Sequence, residues 1–123
     1  MPATVTIHPG LKLVISKFIG EANESDLDEV TKAVPSLLGF DATFSHIIDF
    51  SEVSSFNISS SFLQELAHRQ PVFAASARQI VVAPQPNIYG LSRMTQTLRE
   101  PLLPNIAVVK TIQEAHRILK IED

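Results

Sequence analysis

The chain has 123 residues, 45% of them hydrophobic and 19% charged, with a formal net charge of −3 and no cysteine. This length suits one domain around a single core, and the composition lies far from the low-hydrophobicity, high-charge balance of disordered chains. Lys and Arg are scattered with no run of three, which excludes the basic stripe that nucleic-acid backbones require, and the missing cysteines exclude disulfides, thiolate metal sites and thiol nucleophiles.

The N-terminus, from Met1 to Gly10, shows no cationic start followed by an apolar stretch. No window approaches the roughly 18 apolar residues of a membrane span, so a cytoplasmic protein is expected. Thr4 to Ile7 and Leu11 to Ile19 are rich in β-formers and flank the turn signal His8-Pro9-Gly10, which predicts a hairpin closed by Gly20. Ser25 with Asp28 resembles a capping box and opens a helix carrying Leu27, Val30, Val34, Leu37 and Leu38, with Pro35 kinking its end.

Residues 46–50, 79–83 and 106–109 have nearly continuous apolar centres, as parallel strands covered on both faces do. Between them, 59–74 carries Phe62, Leu66 and Phe73 on one side, and 88–99 carries Leu91, Met94, Thr95 and Leu98. Both read as helices. Thr111 and Glu114 form a capping box ahead of Ala115, Ile118 and Leu119, which marks the last helix.

The order β β α β α β α β α predicts a single α/β domain over 1–123, with a mixed, mostly parallel five-stranded sheet and four helices. The first hairpin is its antiparallel edge. That open edge could pair with a second copy, which points to a symmetric homodimer.

The segment from Asp49 to Ser60, Asp-Phe-Ser-Glu-Val-Ser-Ser-Phe-Asn-Ile-Ser-Ser, resembles the signature of the STAS, or SpoIIAA-like, family of bacterial anti-sigma-factor antagonists. In that family an Asp-apolar-Ser-x-Val strand end leads to a Ser or Thr at a helix start. The likeness is tight over 47–63 and otherwise topological, and the stretch from Ala83 to Met94 is similar to a bacterial STAS/SEC14-like subfamily. Asn57 stands where the antagonists carry Asp, and Ser60 where they carry Gly. The resemblance implies a SpoIIAA-like fold, a regulatory or binding role, and Ser59 at the position of the regulatory serine.

Ser59, Ser60 and Ser61 fall at a predicted helix start, where free backbone N–H groups and the dipole favour an anion. They are candidates for phosphorylation or anion binding, or one of them is simply the N-cap. A phosphate there is expected to be tolerated. Asp49, near the end of a buried strand, is placed where ligands gather in open α/β sheets, or else accepts hydrogen bonds from the backbone of the turn that follows. Ser51 and Asn57 join it as contact candidates through the signature.

Tyr89 and Arg93, four residues apart, share a helix face that could hold a carboxylate, a phosphate or an acidic partner, with Arg78 and Arg99 adding charge nearby; the alternative is an Arg lying over a ring. Gly90 within that helix hints at close backbone packing or ligand approach. His8, His46, His68 and His116 lie in separate elements without metal-ligand spacing and read as surface or cap histidines. No Gly-rich phosphate loop or nucleophile elbow occurs, so neither catalysis, metal nor cofactor is expected. Two readings remain: a regulatory protein-interaction domain switched by serine phosphorylation, and a module binding a small apolar or anionic ligand or lipid, suggested by the apolar faces around Phe62, Phe73 and Ile88.

Overall fold

The computed structural model describes residues 3–121. Met1 and Pro2, where the reading of the N-terminus began, and Glu122 and Asp123 lie outside the described residues. Five strands form one sheet in the order β1-β2-β3-β4-β5, with β1 antiparallel to β2 and every other pair parallel. This is the expected architecture, and the four helices are also present.

β1 (Ala3–His8) and β2 (Leu13–Asn23) are joined by a 3₁₀ turn over Pro9–Leu11, after which Lys12 adopts the left-handed region at φ 53°. Gly20 does not close the hairpin. It sits inside β2 at φ 75°, beside two shifts of register against β3, between Lys17 and Ile19 and between Gly20 and Glu21. A bulge needing positive φ selects glycine as a turn does, which is why the two are confused from sequence.

β3 (Ser45–Asn57) is also longer than its apolar centre, at 13 residues. β4 (Gln79–Val82) pairs with it only through Asp49, so residues 52–57 continue as a two-stranded arm with 19–23 of β2. Glu52, Ser54 and Ser55 of the arm are exposed, while Val53 is buried in the core and Phe56 meets the Phe50 ring edge-on, so the ladder is anchored by only two apolar side chains of β3 there.

α1 (Glu24–Ala33) begins before Ser25. Asn23 is its N-cap, and the Asp26 carboxylate returns to the Asn23 amide at 2.9 Å, so the capping box is Asn23 with Asp26. Pro35 lies in a 3₁₀ turn, Val34–Ser36, that follows the helix, and Leu38 is 96% exposed beyond it. α2 (Ser60–Ala67) is half the expected length, and Phe73 reaches the core from the loop that follows. α3 (Pro86–Arg99), β5 (Ile106–Val109) and α4 (Ile112–Leu119) complete the chain. Thr111 caps α4 by accepting from the Glu114 amide at 3.2 Å, but the Glu114 carboxylate receives the Thr111 hydroxyl instead of its amide.

The distribution of helices follows from the strand order. The three crossovers from β2 to β5 all step in one direction, and right-handed connections then place α1, α2 and α3 on the same face. Phe18, Leu27, Val30, Phe50, Leu63 and Ile88 form the core of that layer. α4 follows the last strand and is bound by no crossover. It packs on the other face, where Ala115 meets Leu13, Ile47, Ile80, Val82 and Val109. Among the described residues no helix is long and apolar enough to cross a membrane.

Candidate functional site

Three helices of 10, 8 and 14 residues span one face of the sheet without filling it. Between them and the strands lies a partly open cavity of about 160 Å³. Phe18, Ile48, Phe50 and Val81 of the sheet, Leu27 and Val30 of α1, Leu63 and Leu66 of α2, and Phe73 make its lining predominantly apolar, with Ser92 and Thr95 contributed by α3.

Polar groups enter the sheet side of this cavity on one rung. Val14, His46, Gln79 and Ile106 are consecutive register partners across β2, β3, β4 and β5, so His46 and Gln79 are neighbours on the helix-covered face. Ser16, one pleat along, places its Oγ 2.8 Å from His46 Nε2. The imidazole stacks on Phe73 with centroids 4.7 Å apart and planes 15° apart. His46 is therefore a core residue, not the surface or cap histidine expected: its backbone belongs to a central strand, and strand alternation turns its side chain inward.

Burial pushes the His46 pKa down to about 4, with Gln79 opposing more weakly, so the ring is neutral at neutral pH. Gln79 lies beside the ring, yet its geometry leaves His46 Nδ1 without a hydrogen-bond partner among the described residues. The unsatisfied atom is shielded from water, a costly condition for a polar nitrogen.

The exposed Gln70 and the part-buried Arg69 and Arg99 also line the cavity, placing its mouth at the C-terminal end of α2. Arg69 is fully engaged there. Its Nη1 donates to Asp28 at 2.6 Å, its Nη2 donates to Glu65 at 3.0 Å, and the guanidinium carbon lies 5.7 Å from the Phe62 ring centre. Arg99 donates from Nη1 to the Leu66 carbonyl at 2.7 Å, and no carboxylate among the described residues forms an ion pair with it. Burial without a counter-charge holds its pKa below the usual value.

The residues singled out from sequence fall elsewhere, in three groups. Ser59 is the N-cap of α2, its Oγ accepting from the Phe62 amide at 3.1 Å. The same hydroxyl and the Ser59 amide both donate to Glu24 Oε2, at 2.9 and 3.0 Å. Asn57 joins this corner through Asn23 at 3.3 Å, while Ser60 and Ser61 are exposed on the first turn of α2. A carboxylate of the chain itself thus occupies the place at the helix start where a phosphate was expected to be tolerated.

Asp49 is buried on the α4 side of the sheet, and its Oδ1 accepts from the Ser51 amide at 2.8 Å, the local hydrogen bond of the structural reading. Beside it in register, Lys17 is ion-paired with Glu52, and Glu52 and then Asp49 raise its pKa. Tyr89 and Arg93 do share a face of α3, with Arg93 Nη1 3.5 Å from the phenol oxygen, and Lys110 lies 5.2 Å over the Tyr89 ring. No hydrogen bond or ion pair among the described residues joins this group to the Ser59 corner. A Cβ on Gly90 would meet nothing within 4 Å, so close packing against the rest of the protein does not explain that glycine.

Sequence reasoning missed Ser16, His46 and Gln79 as a set, and it placed Arg99 beside Arg93 instead of at the cavity. A signal was present: each of the three interrupts an apolar strand at an inward position, where a polar residue demands a partner. No model of a known protein family matches the chain, and no curated protein matches it.

Proposed function

We propose that this chain is a cytoplasmic STAS-type binding domain that holds a small apolar molecule between its sheet and helices α1, α2 and α3. The observation that carries the reading is the cavity of about 160 Å³, apolar over most of its lining and open at an arginine-bearing mouth. Apolar cavities of about 150 Å³ stay dry and take up benzene, so a single ring or a short chain is the matching size. A long acyl chain is too large unless the helices part.

Toluene titration into ¹⁵N-labelled protein tests this. Saturable chemical-shift changes are expected around Val81, Phe73 and Thr95, accompanied by a rise in Tm that grows with ligand concentration. Ser92→Leu, which extends an apolar side chain into the space, abolishes both. A titration with no saturable change at these residues overturns the reading.

A second reading, the antagonist-type interaction domain switched by phosphorylation and paired through β1, draws on the resemblance over residues 49–60. The exposure of Ser59, Ser60 and Ser61 at one end of α2 favours it. Glu24 at the Ser59 hydroxyl weighs against a phosphate there, which is why the cavity reading is preferred. Phosphate-binding affinity electrophoresis of protein drawn from its own host tests the switch, and a homogeneous unphosphorylated species counts against it.

A further inference from the structure

We infer that the molecule held in the cavity is a small carboxylic acid, aromatic or short and aliphatic, whose carboxylate pairs with Arg99 while its apolar part lies against Phe73 and Leu66. The assignment rests on the cavity being a binding site and names its ligand class.

Two arginines stand at one mouth and differ in their counter-charge. Arg69 meets two carboxylates, Asp28 and Glu65, and is neutralised by the protein. Arg99 has none among the described residues, although it is the more withdrawn from water. A guanidinium carries five N–H donors in a planar fork, and the bond to the Leu66 carbonyl uses one nitrogen. The remaining edge is suited to a bidentate carboxylate.

The inner lining does not compete for the charge. Ser16 and His46 are joined to one another, and the imidazole is neutral, so the sheet side presents neither a cation nor a free anion. Apolar walls inside and a lone cation at the rim set a direction: head group outward at Arg99, hydrocarbon inward. The volume limits that hydrocarbon to about the size of a benzene ring.

The experiment compares toluene with benzoate, nearly the same shape with and without the charge, by calorimetry and NMR on the full chain. Benzoate is expected to bind at least tenfold more tightly than toluene and to move the Arg99 Nε–Hε signal, which toluene leaves in place. Arg99→Gln brings benzoate down to the affinity of toluene measured in the same variant, while Arg99→Lys retains part of the preference. Should Arg99→Gln fail to fold, the Arg99 signal in the unaltered protein still decides. Toluene binding with no preference for benzoate overturns the carboxylate assignment and leaves the cavity reading standing. Failure of both ligands to bind overturns both.

Discussion

Glu24 Oε2 accepts from both the hydroxyl and the amide of Ser59, at 2.9 and 3.0 Å, tying the start of α1 to the start of α2. The carboxylate lies at the positive end of the α2 dipole and does the work that an anion would do there. Ser59→Asp keeps an oxygen able to cap Phe62 but sets a second negative charge against Glu24. We expect it to be less stable than the unaltered protein at low salt, and the deficit to shrink when Glu24→Gln is added. Ser59→Ala loses the cap and costs about 1 kcal/mol. Urea denaturation of the unaltered protein, Glu24→Gln, Ser59→Asp, the double variant and Ser59→Ala checks this, and equal effects of Ser59→Asp in both Glu24 backgrounds would remove the electrostatic explanation.

His46 makes stability depend on pH in a defined window. Its folded pKa of about 4 lies below the ordinary value of 6.5, so between those values the unfolded chain binds a proton that the folded chain does not. The contribution is complete above pH 6.5 and is lost as pH falls toward 4, by about 3 kcal/mol in all at about 1.4 kcal/mol per unit. His46→Gln should flatten the stability profile over that range in chemical denaturation at stepped pH. An unchanged slope in the variant would show that other groups set the acid limit.

Phe73 lines the cavity, stacked on His46 and meeting the Phe40 ring edge-on at 83°. Phe73→Ala should cost about 3 to 5 kcal/mol, the range for deleting a buried aromatic ring. Because it enlarges the cavity proposed to take ligands, toluene should recover more stability in the variant than in the unaltered protein. Differential scanning with and without toluene reads both quantities.

Two glycines should respond in opposite directions. Gly90→Ala adds a methyl group to open space in α3 and is expected to stabilise by about 1 kcal/mol. Gly20→Ala places a Cβ at φ 75° inside a bulge and should cost about 1 to 2 kcal/mol. Thermal melts of the two variants suffice, and a destabilised Gly90→Ala would mean that something approaches that backbone after all.

The fold was legible in the sequence wherever burial imposes a period. The apolar centres of β3, β4 and β5 lie between helices on both faces and announce themselves, whereas the arm at 52–57 carries only Val53 and Phe56 among polar residues, three apart, and so leaves no period of two. Helix ends were read less well because several residues compete for a cap: Asn23 and Ser25 are both good N-caps, and the reach of Asp26 decides between them. The cavity was hardest to foresee. It depends on how far three short helices fail to cover a sheet, a property of assembled geometry. Ser16, His46 and Gln79 gave a local hint, since polar side chains at inward strand positions need company.

The sheet grows in the order in which the chain is made. Each strand pairs with the one synthesised before it, so no strand must be inserted between two others and no segment must wait for a distant partner. A nascent chain leaving the ribosome can therefore extend the sheet one strand at a time from the β1-β2 hairpin, every crossover helix settling as its strand docks. Synthesis interrupted after β4 would leave an ordered four-stranded sheet whose last strand offers an unpaired edge, along with apolar positions such as Ile80 and Val82 that α4 has not yet covered. β5 then takes over the edge from β4, and α4 covers Ile80 and Val82, so the last two elements move the open edge outward and bury this apolar face.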